Sequence, residues 1–458
     1  MTNAEQTFKS SGNIAIVGAS LAGLRAAETL RREGFTGRLT LIGDEPYEPY
    51  DRPPFSKGVL AGLASAEETA LPRTVSLDAE WRLGVAASGL DLAGKRVLLS
   101  DGQDVPFDRV LISTGVRARS WPNETESKLS GVFTLRTRGD AVKMTQALAA
   151  KPSRVLVVGA GFTGSELASG CVELGLPVTV AERGPSPLVG ALGGVIGSMA
   201  AGIQRQHGVD LRCGVTVTSL DGDGNGKLHG AHLSDGTTID AEIAMVCLGA
   251  IRNTEWLTGS RLAAGGWGIA CDAGCRAVDV NGIVTDDVFV AGDVANFPHP
   301  LYDYQFIALE HWGNAVAQAE TAAHNMISSQ TERRPHLWLP AFWSSQFGIN
   351  IKSVGVPSFS DQIVIAQGSV EECRFVAAYG YKGRVTAAVA FNQAKWLDFY
   401  QGLIEKAAPF PPDLRGVAQS PGVQPVASNF PTPGEPSNEP TVVLTGHDPS
   451  ERQVSFVY

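Results

Sequence analysis

Twice along this 458-residue chain a short apolar run ends in a glycine turn that opens a helix, and a second apolar run then ends in an acid. The first unit is Ile14-Ala-Ile-Val17, Gly18-Ala-Ser-Leu-Ala-Gly23, a helix expected over 21–33, then Arg38-Leu-Thr-Leu-Ile42 with Asp44 and Glu45 behind it. The second is Arg154-Val-Leu-Val-Val158, Gly159-Ala-Gly-Phe-Thr-Gly164, a helix expected over 165–174, then Pro177-Val-Thr-Val-Ala181 and Glu182. Such short apolar runs suit buried parallel strands. A dinucleotide needs every part: a tight turn, backbone N–H groups at a helix N-terminus for the pyrophosphate, and a carboxylate for the ribose hydroxyls. Ser20 stands where the middle glycine is usual, and it is small enough for phosphates to approach. One such unit is a weak signal; two with correct flanks imply two dinucleotide sites.

The length calls for two or three domains. A net charge of −10 argues against bulk nucleic-acid binding and against an anionic membrane surface. Residues 1–12 are polar and read as no secretory signal, and no apolar run approaches a membrane span. Six scattered cysteines form no disulfide framework, so a reducing cytoplasm is the expected home, and no metal site is read.

Between the units, Pro46-Tyr-Glu-Pro-Tyr-Asp-Arg-Pro-Pro-Phe-Ser-Lys57 is stiff and non-helical because of its prolines. It carries Arg52 and Lys57 toward the C-terminal edge of the first strand. Residues 81–108 read as small strands, and Phe107-Asp-Arg-Val-Leu-Ile-Ser-Thr-Gly115 as a buried strand ending at a glycine. Residues 208–249 are again strands, the last ending at Gly249. Val288-Phe-Val-Ala-Gly-Asp293 is a strand ending in an acid, and 309–327 looks helical. From 340 to 405 the texture becomes aromatic-rich strands and a helix near 393–404, a third and smaller domain. The tail from 408 is rich in Pro, Gly, Ser and Val, and it reads as a mostly disordered appendage.

These motifs carry a resemblance. Residues 13–405 are similar to the FAD-dependent, NAD(P)H-using ferredoxin reductases of oxygenase systems, the putidaredoxin reductase-like family within the glutathione reductase-like class. The matching stretches are Ile-Gly-Asp-Glu45, Tyr-Asp-Arg-Pro-Pro-Phe-Ser-Lys57, Ile112-Ser-Thr-Gly115, Val158-Gly-Ala-Gly-Phe-Thr-Gly-Ser-Glu166 and Val288-Phe-Val-Ala-Gly-Asp293. Glu310-His-Trp-Gly-Asn314 and Phe342-Trp-Ser-Ser-Gln346 complete the set. The resemblance implies an α/β fold with two Rossmann-like dinucleotide-binding domains and a C-terminal α+β interface domain. Residues 1–118 and 248–328 would form the FAD domain, 119–247 the NAD domain, 329–407 the interface domain, and 408–458 the tail.

It also implies roles. Gly18, Ser20, Ala22 and Gly23 would seat the FAD pyrophosphate, and Asp44 or Glu45 the adenosine ribose. Arg52, Val85, Thr114, Arg136 and Asp293 match further FAD contacts. Trp312 opens a helix whose positive end would face the flavin pyrimidine. Lys57 and Glu166 look like the catalytic pair beside the flavin, the cation favouring electron-rich reduced flavin and the carboxylate keeping it placed. Gly159, Gly161, Phe162, Gly164, Glu166 and Gly249 would take NAD. Glu182 would receive its ribose hydroxyls, which favours NADH over NADPH. A ferredoxin would be the acceptor. Like-signed molecules associate through a local patch of opposite charge, for which Lys395, beside Trp396, is the candidate.

A disulfide reductase of the same class needs cysteine beside the flavin, and residues 46–60 contain none. Cys271 and Cys275, the only close pair, read as buried small hydrophobes. A rubredoxin reductase, or a signalling flavoprotein similar to apoptosis-inducing factor, remains the alternative.

Overall fold

The computed structural model describes residues 8–414, 424–426, 441–445 and 453–457. Its first strand, Asn13–Val17, is buried on both sides: Ile14 and Ile16 pack into one apolar cluster, Ala15 and Val17 into another. Side chains alternate across a strand, so an unbroken apolar run demands cover on both faces of its sheet. The strand pairs in parallel with Arg38–Gly43 on one side and Arg109–Ile112 on the other. Glu80–Leu83 extends the sheet beyond Arg38–Gly43. Val284–Val290 joins Arg109–Ile112 in parallel, and Arg276–Val278 closes that edge antiparallel.

One face of this sheet is covered by the helices Leu21–Arg32 and Trp312–Ile327, whose Leu24, Leu30, Ala319 and Met326 meet Ile14, Ile16 and Leu41. The other face carries the antiparallel strands Ala87–Asp91, Arg96–Leu99 and Asp104–Pro106.

The second glycine unit builds its own sheet. Its order is Asp210–Cys213, Val178–Glu182, Val155–Val158, Ile243–Val246 and Val132–Phe133, all parallel. Val155 and Val157 face one cluster and Leu156 and Val158 the other, the same two-sided burial as in the first unit. Chain leaving the first sheet and chain returning to it run side by side, as Val116–Ala118 pairs antiparallel with Ala250–Arg252.

The third sheet is antiparallel: Ala341–Gln346, Ile349–Gly355, Arg384–Phe391, Arg374–Tyr381 and Gln362–Ser369, with Gln424–Val426 at its edge. Tyr400 and Ile404 of the helix Leu397–Glu405 pack on one face; Leu192 and Ile196 from the second unit pack on the other.

Several expectations shift. The helices run over Phe162–Glu173, Trp312–Ile327 and Leu397–Glu405, the last preceded by a 3-10 turn at Ala394–Trp396. The tail is not structureless where it is described: Gln424–Val426 joins the third sheet, and Thr441–Thr445 pairs with Gln453–Val457. The rest of the expected disorder, beyond 414, lies outside the described residues. Among the described residues no helix is long and apolar enough to cross a membrane.

Candidate functional site

Both glycine turns are shaped by what a side chain would strike. Gly18 has φ +116°, and a Cβ there would collide with the carbonyl of Ser113 on the neighbouring strand; on Gly23 it would collide with the carbonyl of Gly18. The second turn repeats the arrangement: Gly159 has φ +96° against the Cys247 carbonyl, and Gly164 abuts the carbonyl of Gly159. Gly161 has no heavy atom within 4 Å of where its Cβ would lie. The outer glycines therefore let helix and strands approach, while the middle one leaves room for a ligand.

Each turn feeds a helix N-terminus. Ser20 and Gly161 are the N-caps; neither makes a side-chain cap bond, and neither first turn carries an acid. Their amide groups stay available to an anion.

A cleft of about 670 Å³ runs between the two units and the third sheet. It is lined by Gly18, Ser20, Ala22, Asp44, Glu45, Arg52, Lys57, Thr114, Gly249, Asp293 and Trp312 from the first unit and its return. Arg136, Gly161, Phe162, Gly164 and Glu166 line it from residues 119–247. Gly23 and Gly159 lie behind the turns as packing positions. Val85, expected in the site, packs partly against the core cluster behind the sheet and is not among the residues lining the cleft. Glu182 does not line the cleft either. Its Oε2 accepts from the Ala160 amide and its Oε1 from the Gly184 amide, both at 2.6 Å, so the acid braces the turn it was expected to complement. Lys395 and Trp396 lie on the C-terminal domain: Lys395 is exposed over the Trp396 ring at 5.7 Å, and Trp396 packs partly into that domain's core.

At the centre Lys57 Nζ sits 2.7 Å from Glu166 Oε2. The same oxygen accepts from Ser56 Oγ at 2.5 Å, and Glu166 Oε1 accepts from Ser344 Oγ at 2.6 Å. The carboxylate is 6% exposed. A charge that far from water persists only when paired and hydrogen-bonded, and here one cation and two hydroxyls meet it.

Beside this pair, Trp312 Nε1 donates to Asp51 Oδ1 at 2.9 Å and its ring meets Trp343 edge-on at 6.3 Å. Phe162 and Phe342 lie with centroids 4.6 Å apart. Arg136 bonds Asp293 at 3.0 Å and the Val116 carbonyl at 3.1 Å. Arg52 donates to Glu45, to the Tyr50 hydroxyl and to the Arg136 carbonyl. Burial opposes the Arg52 charge, yet Tyr50 and Glu45 outweigh it and hold its pKa above the ordinary value. Burial, with Asp293 adding to it, raises the Glu310 carboxyl against the pull of Arg252 and Arg136. Burial also lowers His311, whose buried Nδ1 finds no partner among the described residues.

Sequence reasoning passed over Asp51, Tyr50, His311 and Ser344. Each lies inside a motif already quoted, so the signal was present; it lacked the contact that gives a role. Cys271 and Cys275 are fully buried in separate clusters, and neither lines the cleft. No cluster of His, Cys, Asp and Glu fit to hold a metal ion occurs among the described residues.

The cleft lined by both glycine units, the two uncapped helix N-termini and the orphaned His311 nitrogen fit a flavin dinucleotide and a nicotinamide dinucleotide meeting near Lys57. Residues 12–319 match the family model described as pyridine nucleotide-disulphide oxidoreductase, and residues 341–418 the one described as reductase C-terminal. The chain is 34% identical over 379 residues to a probable ferredoxin reductase of Castellaniella defragrans, covering 82% of this chain and 89% of that one. It is 35% identical over 352 residues to the ferredoxin–NAD(+) reductase subunit of the benzene 1,2-dioxygenase system of Pseudomonas putida, covering 75% and 80%. A chain in the covalent putidaredoxin reductase–putidaredoxin complex superposes with a TM-score of 0.81 at 28% identity, over 87% of this chain and 94% of that one.

Proposed function

The chain belongs to the pyridine nucleotide-disulphide oxidoreductase family, and from that premise we infer that it is an FAD-dependent reductase passing electrons from NADH to a ferredoxin that serves a cytochrome P450 or Rieske-type oxygenase. The observation that carries the reading is the Lys57–Glu166 pair, set in one cleft between the two glycine turns. FAD, when bound, links a two-electron donor to a one-electron acceptor.

The chain's own residues supply placement and electrostatics. Residues 1–118 with 248–328 hold FAD. Gly18, Ser20 and Ala22 admit its pyrophosphate to the N-terminus of Leu21–Arg32, and Asp44 and Glu45 border the ribose. Arg136 fixes Asp293 at the strand end, and the N-terminus of Trp312–Ile327 favours negative charge at the flavin. Lys57 presents a fixed cation where charge develops on reduction, and Glu166 keeps that cation from swinging into solvent.

Residues 119–247 hold NADH, with Gly161, Phe162 and Gly164 at its cleft face and Gly249 of the returning chain beside them. Glu182, at the end of the strand Val178–Glu182 and held on the Ala160 amide, puts a carboxylate beside the second turn, where a 2′-phosphate meets like charge. Residues 329–407 present the acceptor face, with Lys395 and Trp396 in it. A cytoplasmic home fits six free cysteines.

NADH-driven cytochrome c reduction, with and without an added iron–sulfur ferredoxin, tests the reading. The rate is expected to depend on ferredoxin. Equal rates without it point to an acceptor of another kind.

A further inference from the structure

The strand Ala341–Gln346 alternates outward Trp343 and Ser345 with inward Ser344 and Gln346, and Ser344 reaches the Glu166 side chain of another domain. Ser344 is 1% exposed and Gln346 5%. Gln346 Nε2 lies 3.1 Å from Ser344 Oγ, which lies 2.6 Å from Glu166 Oε1. An ionised carboxylate only accepts, so the single Ser344 proton goes to Glu166. The hydroxyl then accepts from Gln346, and that fixes the direction of the relay: Gln346 to Ser344 to Glu166.

The tip of the same hairpin anchors it. Phe347, at φ +50°, is buried in the core cluster of the second unit with Leu60, Leu167 and Cys171. Its amide donates to Ser169 Oγ at 2.7 Å, one turn along the helix from Glu166. A non-glycine residue in the left-handed region persists only where its surroundings hold it there.

We propose that Ser344, directed by Gln346, is a positioning residue for the Lys57–Glu166 pair. The C-terminal domain thereby sets the geometry at the donor side of the flavin, in addition to offering an acceptor face. Without the Ser344 hydroxyl, Glu166 Oε1 has no donor among the described residues, the carboxylate gains rotational freedom, and Lys57 moves with it.

The inference rests on the functional reading above, and its test separates the two. Stopped-flow reduction of the FAD-loaded protein by NADH, and the flavin midpoint potential at equilibrium, are measured for wild type, Ser344→Ala, Ser344→Thr and Gln346→Leu. In Ser344→Ala the reduction rate constant is expected to fall about tenfold, the scale of one charge-assisted hydrogen bond, with NADH half-saturation and FAD retention within about twofold. The midpoint potential falls as well, because a displaced Lys57 stabilises reduced flavin less. Ser344→Thr restores both, and Gln346→Leu shows a smaller loss in the same direction. Wild-type rate and potential in Ser344→Ala overturn the proposal, as does failure of Ser344→Thr to restore them. If Ser344→Ala does not fold, Gln346→Leu decides, and wild-type values there overturn the relay. A wild-type protein that NADH does not reduce overturns the functional reading itself, and this inference with it.

Discussion

The Lys57 ammonium and the Glu166 carboxylate lie 2.7 Å apart although 109 positions separate them in the chain. Lys57 comes from the proline-rich segment behind the first unit, and Glu166 from the helix opened by the second glycine turn. The contact exists only because the two units close on each other, so the pair marks where their ligands meet.

Lys57→Met is expected to slow flavin reduction by NADH at least tenfold, about 1.4 kcal/mol of barrier. FAD affinity should change little, because the ammonium acts on charge that appears during reduction. Stopped-flow rates and FAD titrations separate the two; an unchanged rate makes Lys57 an ordinary cleft charge.

Gly164→Ala forces a methyl against the Gly159 carbonyl. Backbone must shift, at a cost of about 1–3 kcal/mol in thermal stability. The damage should be local to the second unit: FAD is retained and dithionite still reduces it, while NADH loses its effect. Loss of FAD together with NADH response contradicts the assignment of separate sites.

Burial pushes the thiols of Cys271 and Cys275 well above their ordinary pKa. Neither forms thiolate near neutrality, so iodoacetamide should label them only after unfolding. The double substitution to Ala should keep NADH-to-ferricyanide activity within about threefold, since truncating buried cysteine disturbs packing more than chemistry. Native labelling, or a loss beyond tenfold with the fold intact, favours a disulfide reductase.

His336 is 1% exposed, bonded through Nε2 to Asn314 Oδ1 at 2.9 Å. Burial, with His299 adding to it, lowers its pKa from 6.5 to about 3. The unfolded chain binds a proton near 6.5 that the folded one refuses. This contribution to stability is present above 6.5 and is lost progressively toward about 3. Urea midpoints for wild type should drop between pH 7 and pH 5, and His336→Gln should flatten that drop. Equal slopes in both proteins reject the assignment.

Lys395→Glu is expected to raise KM for ferredoxin, more at low salt, and to leave NADH-to-ferricyanide turnover intact. The exposed position of Lys395 suits docking, while Trp396 is partly committed to packing against its own domain. If both activities fall together, or neither responds at any ionic strength, the acceptor binds elsewhere.

The two glycine units were legible because period and punctuation are local properties: an apolar run, a turn, a helix and an acid lie within about thirty residues. The parallel sheets followed from them. What stayed hidden is carried by contacts between distant segments. Ser344 belonged to a quoted motif, but nothing in its neighbourhood reveals that it reaches Glu166. Glu182 shows the same gap: its place after the second unit's strand reads off the sequence, but that its oxygens accept from the Ala160 and Gly184 amides does not. Val85 packs partly against a core cluster, and sequence does not say whether a strand-end residue points to the cleft or to the core.

Anaerobic titration of the FAD-loaded protein with NADH tests the central claim most directly. One equivalent of NADH is expected to bleach the flavin, and a substoichiometric iron–sulfur ferredoxin added afterwards should restore its colour only as cytochrome c is reduced. Flavin that stays oxidised through excess NADH, in protein that holds FAD tightly, contradicts the account.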